Sequence, residues 1–123
     1  MEQRLFELLD VLVKYNTESP PGRNTDPLQD DIEQLLKTLN FDIQREHLYE
    51  NDSVIVATLK GEDEDAPKLI LNGHVDVANV DDDSNWQYPP FQLTEKEGWL
   101  YGRGVSDMKG GMASLFYVLE KLH

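Results

Sequence analysis

Leu69-Ile70-Leu71-Asn72-Gly73-His74-Val75-Asp76-Val77 is the stretch whose reading decides the fold. Three consecutive aliphatic residues, Leu69 to Leu71, predict a buried strand, and Lys68–Asn72 reads as the central strand of a sheet. The apolar run breaks at Gly73 and then presents a His and an Asp two positions apart. On extended backbone such residues point to the same side. Asp76 can therefore hold one nitrogen of the His74 ring and leave the other for a metal. Sites in α/β proteins gather beyond the carboxyl ends of strands, which is where this pair falls. A loop histidine bonded to an aspartate for structure alone satisfies the same two residues, so the metal reading needs a further ligand.

A second polar cluster supplies one. Gly102-Arg103-Gly104-Val105-Ser106-Asp107-Met108-Lys109-Gly110-Gly111 stands just before an apolar helical stripe, Met112, Leu115, Phe116, Leu119 and Leu122. We expect the two clusters to meet, with His74 and Asp107 holding a divalent metal. Asp107 would also suit a plain helix N-cap. The glycines cost helix stability and so imply unusual backbone angles or close approach, or a simple turn. Arg103 and Lys109 read as partners for local acids or for a substrate carboxylate, or as solvated surface charge. His47 reads as a surface or structural residue, His123 as a frayed terminus, Trp86, Trp99 and Tyr101 as anchors, and Met108 and Met112 as packing. Asp81-Asp82-Asp83-Ser84-Asn85 resembles the start of a calcium loop, but Trp86 stands where Gly belongs and Gln92 where Glu belongs. That run is read as solvated loop.

Outward from these clusters the chain punctuates itself clearly. Leu5, Leu8, Leu9 and Leu12 recur with helical spacing and predict a helix over residues 3–15. Thr17 to Asn24, with two prolines and a glycine, is a turn-rich connector. Asp26-Pro27 starts a second helix, with Asp26 as N-cap and Gln29 completing a capping box, and Asn40 ends it. Phe41–Leu48 and Ser53–Lys60 predict an antiparallel hairpin whose second strand, carrying Val54-Ile55-Val56, is the more buried. Gly61–Pro67 is an acidic loop, residues 74–98 a long connector, and Gly98–Gly102 a short strand. These elements predict an α/β layered fold, a mixed sheet flanked by helices. A closing strand is expected after the last helix, so residues 1–123 read as the front piece of a longer protein.

Composition narrows the function classes. The 123 residues carry 24 acids against 11 bases, a formal net charge of −13. Such a field repels phosphate backbones and anionic membranes, so neither nucleic acid nor membrane is an expected partner, and it attracts cations. With no Cys, disulfides and thiolate zinc sites are excluded, leaving His, Asp, Glu, carbonyls and water as ligands. No apolar run approaches the roughly 20 residues of a membrane span, and the acidic N-terminus lacks a signal-peptide core. A cytoplasmic setting is expected.

Together Leu71–Val77, Trp86 with Pro89-Pro90-Phe91, and Tyr101–Gly111 resemble one zinc metallopeptidase and deacylase family. It contains acetylornithine deacetylase, succinyl-diaminopimelate desuccinylase, aminoacylase and carboxypeptidase G. Ser19-Pro20-Pro21-Gly22 is also typical of it. The resemblance implies a hydrolase using two zinc or cobalt ions. His74 would ligate one metal, Asp107 would bridge both, and Asp76 would act as the catalytic aspartate that orients His74. It further implies a cis peptide at Asp107–Met108. The general base would be a glutamate of a Glu-Glu pair beyond the last helix, where the remaining ligands and a dimerisation domain also lie; this chain holds no such pair. Residues 1–123 would then be the N-terminal part of the catalytic domain, incomplete and inactive alone. The implied substrate is an N-acyl amino acid or short peptide, cleaved at its amide bond, with acetylornithine deacetylase or succinyl-diaminopimelate desuccinylase as the preferred type. A dipeptidase or aminopeptidase of the same family, and a non-catalytic binding or scaffold module that keeps the fold, are the alternatives.

Overall fold

The computed structural model describes residues 2–20 and 22–122. The elements run α1 (Glu2–Val13), α2 (Asp26–Thr38), β1 (Asp42–Tyr49), β2 (Asp52–Thr58), β3 (Thr94–Lys96), β4 (Trp99–Tyr101) and α3 (Gly110–Leu122). The leucine stripe of α1 is buried, with Leu8, Leu9, Leu12 and Val13 meeting Leu28, Ile32 and Leu36 of α2 and Ala113 and Phe116 of α3. Arg4 closes the α1–α3 pair from outside: its Nε donates to both oxygens of Glu120 at 3.1 Å. Among the described residues no helix is long and apolar enough to cross a membrane.

The expected hairpin forms. β1 and β2 pair antiparallel, from Asp42 opposite Thr58 to Tyr49 opposite Asp52. Its inner residues, Ile43, Ile55 and Ala57, pack on the helical core. Val54 and Val56 face solvent, but β2 is the more buried of the two strands, as expected, with Ser53 buried and Asp52, Ile55 and Ala57 half-buried. The β-branched run signals strand conformation, and a two-stranded sheet with one covered face leaves every second side chain outside. A polar latch fixes this hairpin to α2. Arg45 reaches Asp30 at 2.6 Å, Glu33 at 2.9 Å and Asp26 at 3.1 Å, while the Ser53 hydroxyl donates to Asp26 at 2.6 Å.

That latch also explains a local correction. Thr25, not Asp26, precedes the first turn of α2, and it makes no side-chain cap. The Asp26 carboxylate is already engaged by Ser53, Arg45 and His47, and Gln29 donates to the Ser53 carbonyl at 2.9 Å rather than closing a capping box. Asn40 does end the helix, with a left-handed φ of 57°.

The α/β composition is as expected, but the described residues do not assemble one mixed sheet. They form two separate antiparallel hairpins, β1–β2 and β3–β4. Parallel pairing is confined to a single bridge between Glu18 and Val77. Among the described residues Lys68–Asn72 forms no strand and pairs with none, and Leu69 and Ile70 are 80% and 85% exposed. Three aliphatic residues in a row do demand cover, yet cover for both faces of a central strand must come from neighbours. No described segment lies against either edge. The expectation for His123 falls outside the described residues.

Candidate metal centre

The run after Gly73 divides its side chains by alternation. Val75 and Val77 point inward and are buried, so His74 and Asp76 point outward together. The connector after α1 fixes this register. Thr17, itself buried, donates its hydroxyl to the Val75 carbonyl at 2.6 Å. Val77 N–H donates to the Thr17 carbonyl, and Ser19 N–H to the Val77 carbonyl, both at 3.0 Å.

Across from this strand-like run, residues 102–110 make a tight turn. Gly104 adopts φ 82°, and a Cβ there would strike the Val77 side chain. Lys109 N–H donates to the Gly104 carbonyl at 2.7 Å. Between them Asp107 and Met108 leave helical angles, and the peptide joining them is cis. Asp107 stands ahead of α3, which starts at Gly110, and its carboxylate turns towards His74.

The two clusters meet. His74 Nε2 lies 3.1 Å from Asp107 Oδ1. His74 Nδ1 lies 3.1 Å from the Asp76 carbonyl oxygen and 3.2 Å from its carboxylate. Every one of these partners is an acceptor. A neutral ring carries one N–H, which serves the Asp76 side; the Nε2 lone pair then faces the Asp107 carboxylate, and a proton or a metal ion is needed between them. Two ligands on one tetrahedral zinc, at bonds of about 2.0–2.1 Å, stand roughly 3.3–3.4 Å apart. The observed 3.1 Å needs only a few tenths of an ångström of opening. The pair therefore fits as two donors of a cation site. Among the described residues no cluster of three or more His, Asp or Glu side chains could hold an ion.

A cleft of about 340 Å³ opens beside Asp107, lined in part by Trp86, Tyr101, Arg103 and Ser106. Among the described residues Arg103 pairs with no acid. Its guanidinium lies 4.9 Å from the centre of the Trp86 ring and donates to the Asn79 carbonyl at 3.3 Å, and its Nε is buried without a partner. Lys109 is a larger correction to the sequence reading. Its side chain is fully buried, with Nζ donating to the Tyr15 carbonyl at 3.0 Å. Burial pushes that ammonium down to about 8. The spacing carried a signal for it, since Lys109, Ala113 and Phe116 fall at i, i+4 and i+7 on the stripe that α3 buries. The roles of Thr17 and Met108 carried no such signal.

Residues 70–123 match the family described as Peptidase family M20/M25/M40. That match takes in both clusters, the one bearing His74 and Asp76 and the one bearing Asp107. The chain is 44% identical over 97% of its length to N-formyl-4-amino-5-aminomethyl-2-methylpyrimidine deformylase of Bacillus subtilis strain 168, of which it covers 28%. It is 43% identical over 99% of its length to the deformylase of the same name from Halalkalibacterium halodurans, covering 29%. It is 41% identical over 98% of its length to probable succinyl-diaminopimelate desuccinylase of Staphylococcus aureus strain Mu50, again covering 29%. The chain thus spans less than a third of these curated relatives.

Proposed function

We propose that residues 1–123 are the N-terminal part of the catalytic domain of a metal-dependent hydrolase that cleaves the amide bond of a small N-acyl compound. The observation that carries this reading is the 3.1 Å approach of His74 Nε2 to Asp107 Oδ1, with Asp76 on the far nitrogen of the same ring. His74 and Asp107 would be metal ligands, Asp107 shared between two ions, and Asp76 the aspartate that fixes the tautomer and raises the basicity of His74. Zinc or cobalt held there would supply Lewis acidity towards the amide carbonyl and towards water. The rest of the chain's contribution is positional. Thr17 and Gly104 fix the backbones that bear the two ligands, and the Trp86–Arg103 stack shapes the wall of the adjoining cleft, where substrate would lie.

For the acyl group, the two relatives at 44% and 43% identity favour formyl on an aminopyrimidine. The relative at 41% favours succinyl on an amino acid. The acetylornithine type rests on the sequence motifs alone. The reading includes a general base and further ligands beyond residue 123, a cytoplasmic setting and a homodimer formed through a domain outside these residues.

Cobalt titration of the intact protein, with Asp107→Ala as control, tests the metal centre. Uptake lost in the variant supports it; equal uptake, or none in either, would favour a scaffold module. An assay of the intact protein on N-formyl, N-succinyl and N-acetyl substrates tests the chemistry. Hydrolysis that persists with Asp107→Ala would remove that residue from the mechanism.

A further inference from the structure

We infer that Met108 is a positioning residue that sets the separation of the two candidate metal ligands, an inference that rests on the metal centre proposed above. Met108 follows Asp107 directly, so its backbone is that of the second ligand's own turn. Its side chain crosses to the other cluster, where Sδ accepts the backbone N–H of His74 at 3.4 Å. One side chain thus joins the backbone of one ligand to the backbone of the other.

The surroundings leave this thioether little freedom. Gly73, immediately before His74, packs against Met108 and Met112; a Cβ at Gly73 would collide with Met112 Sδ and come within 3.1 Å of Met108 Cε. The glycine lets the two sulfurs reach the main chain of the His74 run. Among the described residues the His74 N–H finds no acceptor other than this sulfur. A thioether is a weak acceptor, so the bond itself contributes little. Its value is geometric, because it fixes where the His74 backbone stands relative to Asp107, and a shift of a few tenths of an ångström there decides whether both donors reach one ion. Leucine would fill the same space without accepting the N–H.

The experiment compares the intact wild-type protein with its Met108→Leu, Met108→Ala and Met112→Leu variants. It reads cobalt affinity by absorbance, the exchange rate of the His74 amide by NMR, and the thermal midpoint as a check on folding. Loss of a residue that orients a ligand typically weakens metal binding by about 10–100-fold. Met108→Leu is expected near the lower end of that range, with faster exchange at His74 and an unchanged melt. Met112→Leu, which keeps the Met108 contact, is expected to bind cobalt like the wild type. Wild-type affinity in Met108→Leu would overturn the inference and leave the metal centre standing. An intact wild-type protein that takes up no cobalt sinks the metal centre, and the amide arm then decides alone: unchanged exchange at His74 in Met108→Leu overturns the positioning role. If Met108→Leu unfolds, a Met108→Ala variant that folds and binds cobalt normally overturns it as well.

Discussion

At the scale of single residues, what matters is which side of the imidazole each acid serves. Asp76 meets Nδ1 twice, through its carbonyl and through its carboxylate. Asp76→Asn removes the charge but keeps the main-chain acceptor. We expect it to weaken cobalt binding about tenfold, the low end for a residue that orients a ligand, measured by titration against Asp107→Ala, in which uptake is abolished. A hundredfold loss for Asp76→Asn would mean that the carboxylate, not the carbonyl, fixes the ring. His74, Asp76 and Asp107 were legible in the sequence because a His-x-Asp step on extended backbone and a glycine-flanked Asp carry their geometry locally. Lys109 carried a weaker signal, its place on the stripe that α3 buries, whereas Met108 and Thr17 act across distances in the chain. The three residue types fit core packing or surface charge equally well, and only the fold tells which.

At the scale of elements, the β1–β2 hairpin depends on one half-buried acid of α2. Burial pushes the Asp26 carboxyl up, but the Ser53 hydroxyl, the Arg45 guanidinium and His47 outweigh it, leaving it below the usual carboxylate range. A group depressed in the folded state stabilises fully above its unfolded value and loses that contribution as pH falls through the folded one. The wild-type chain should therefore lose stability progressively below about pH 4. Asp26→Asn should be less stable at pH 7 by about 1–2 kcal/mol, the range for hydrogen bonds to a charged group discounted for partial exposure. The gap should narrow in acid, as read by urea melts across pH. A constant gap would place the latch in Arg45–Asp30 and Arg45–Glu33 instead. The hairpin was legible from its β-branched run and the Tyr49–Asp52 turn. Which of its faces is covered was not, because that is set by α2, a separate stretch of sequence.

At the scale of the whole molecule, helical packing and strand pairing are unevenly finished. The α1–α2–α3 core is closed, whereas Leu69 to Leu71 stay exposed with unpaired backbone. The sequence read this run as a buried strand, and the structure leaves it uncovered, because burial of a strand is set by segments distant in sequence. An open apolar edge of this kind is a template for association between chains. The net charge of −13 opposes it, and salt screens that repulsion over about 8 Å at physiological strength. Association measured by light scattering should therefore rise between low and 1 M salt, and Ile70→Lys should suppress the rise. Salt-independent behaviour in both chains would mean that the edge is not the contact.

The parallel bridge between residues 17–19 and Val77 has a further consequence. Trypsin has exposed targets at Lys60 and Lys68, on the unpaired approach to this bridge. A nick there cuts the covalent path between the amino-terminal half and the segment bearing His74 and Asp107. The Thr17–Val75 and Ser19–Val77 bonds, the Arg4–Glu120 clasp and the α1–α3 contact all span the cut. The two pieces should therefore elute together in gel filtration and separate only in denaturant, so that the candidate metal centre outlives the continuity of the polypeptide.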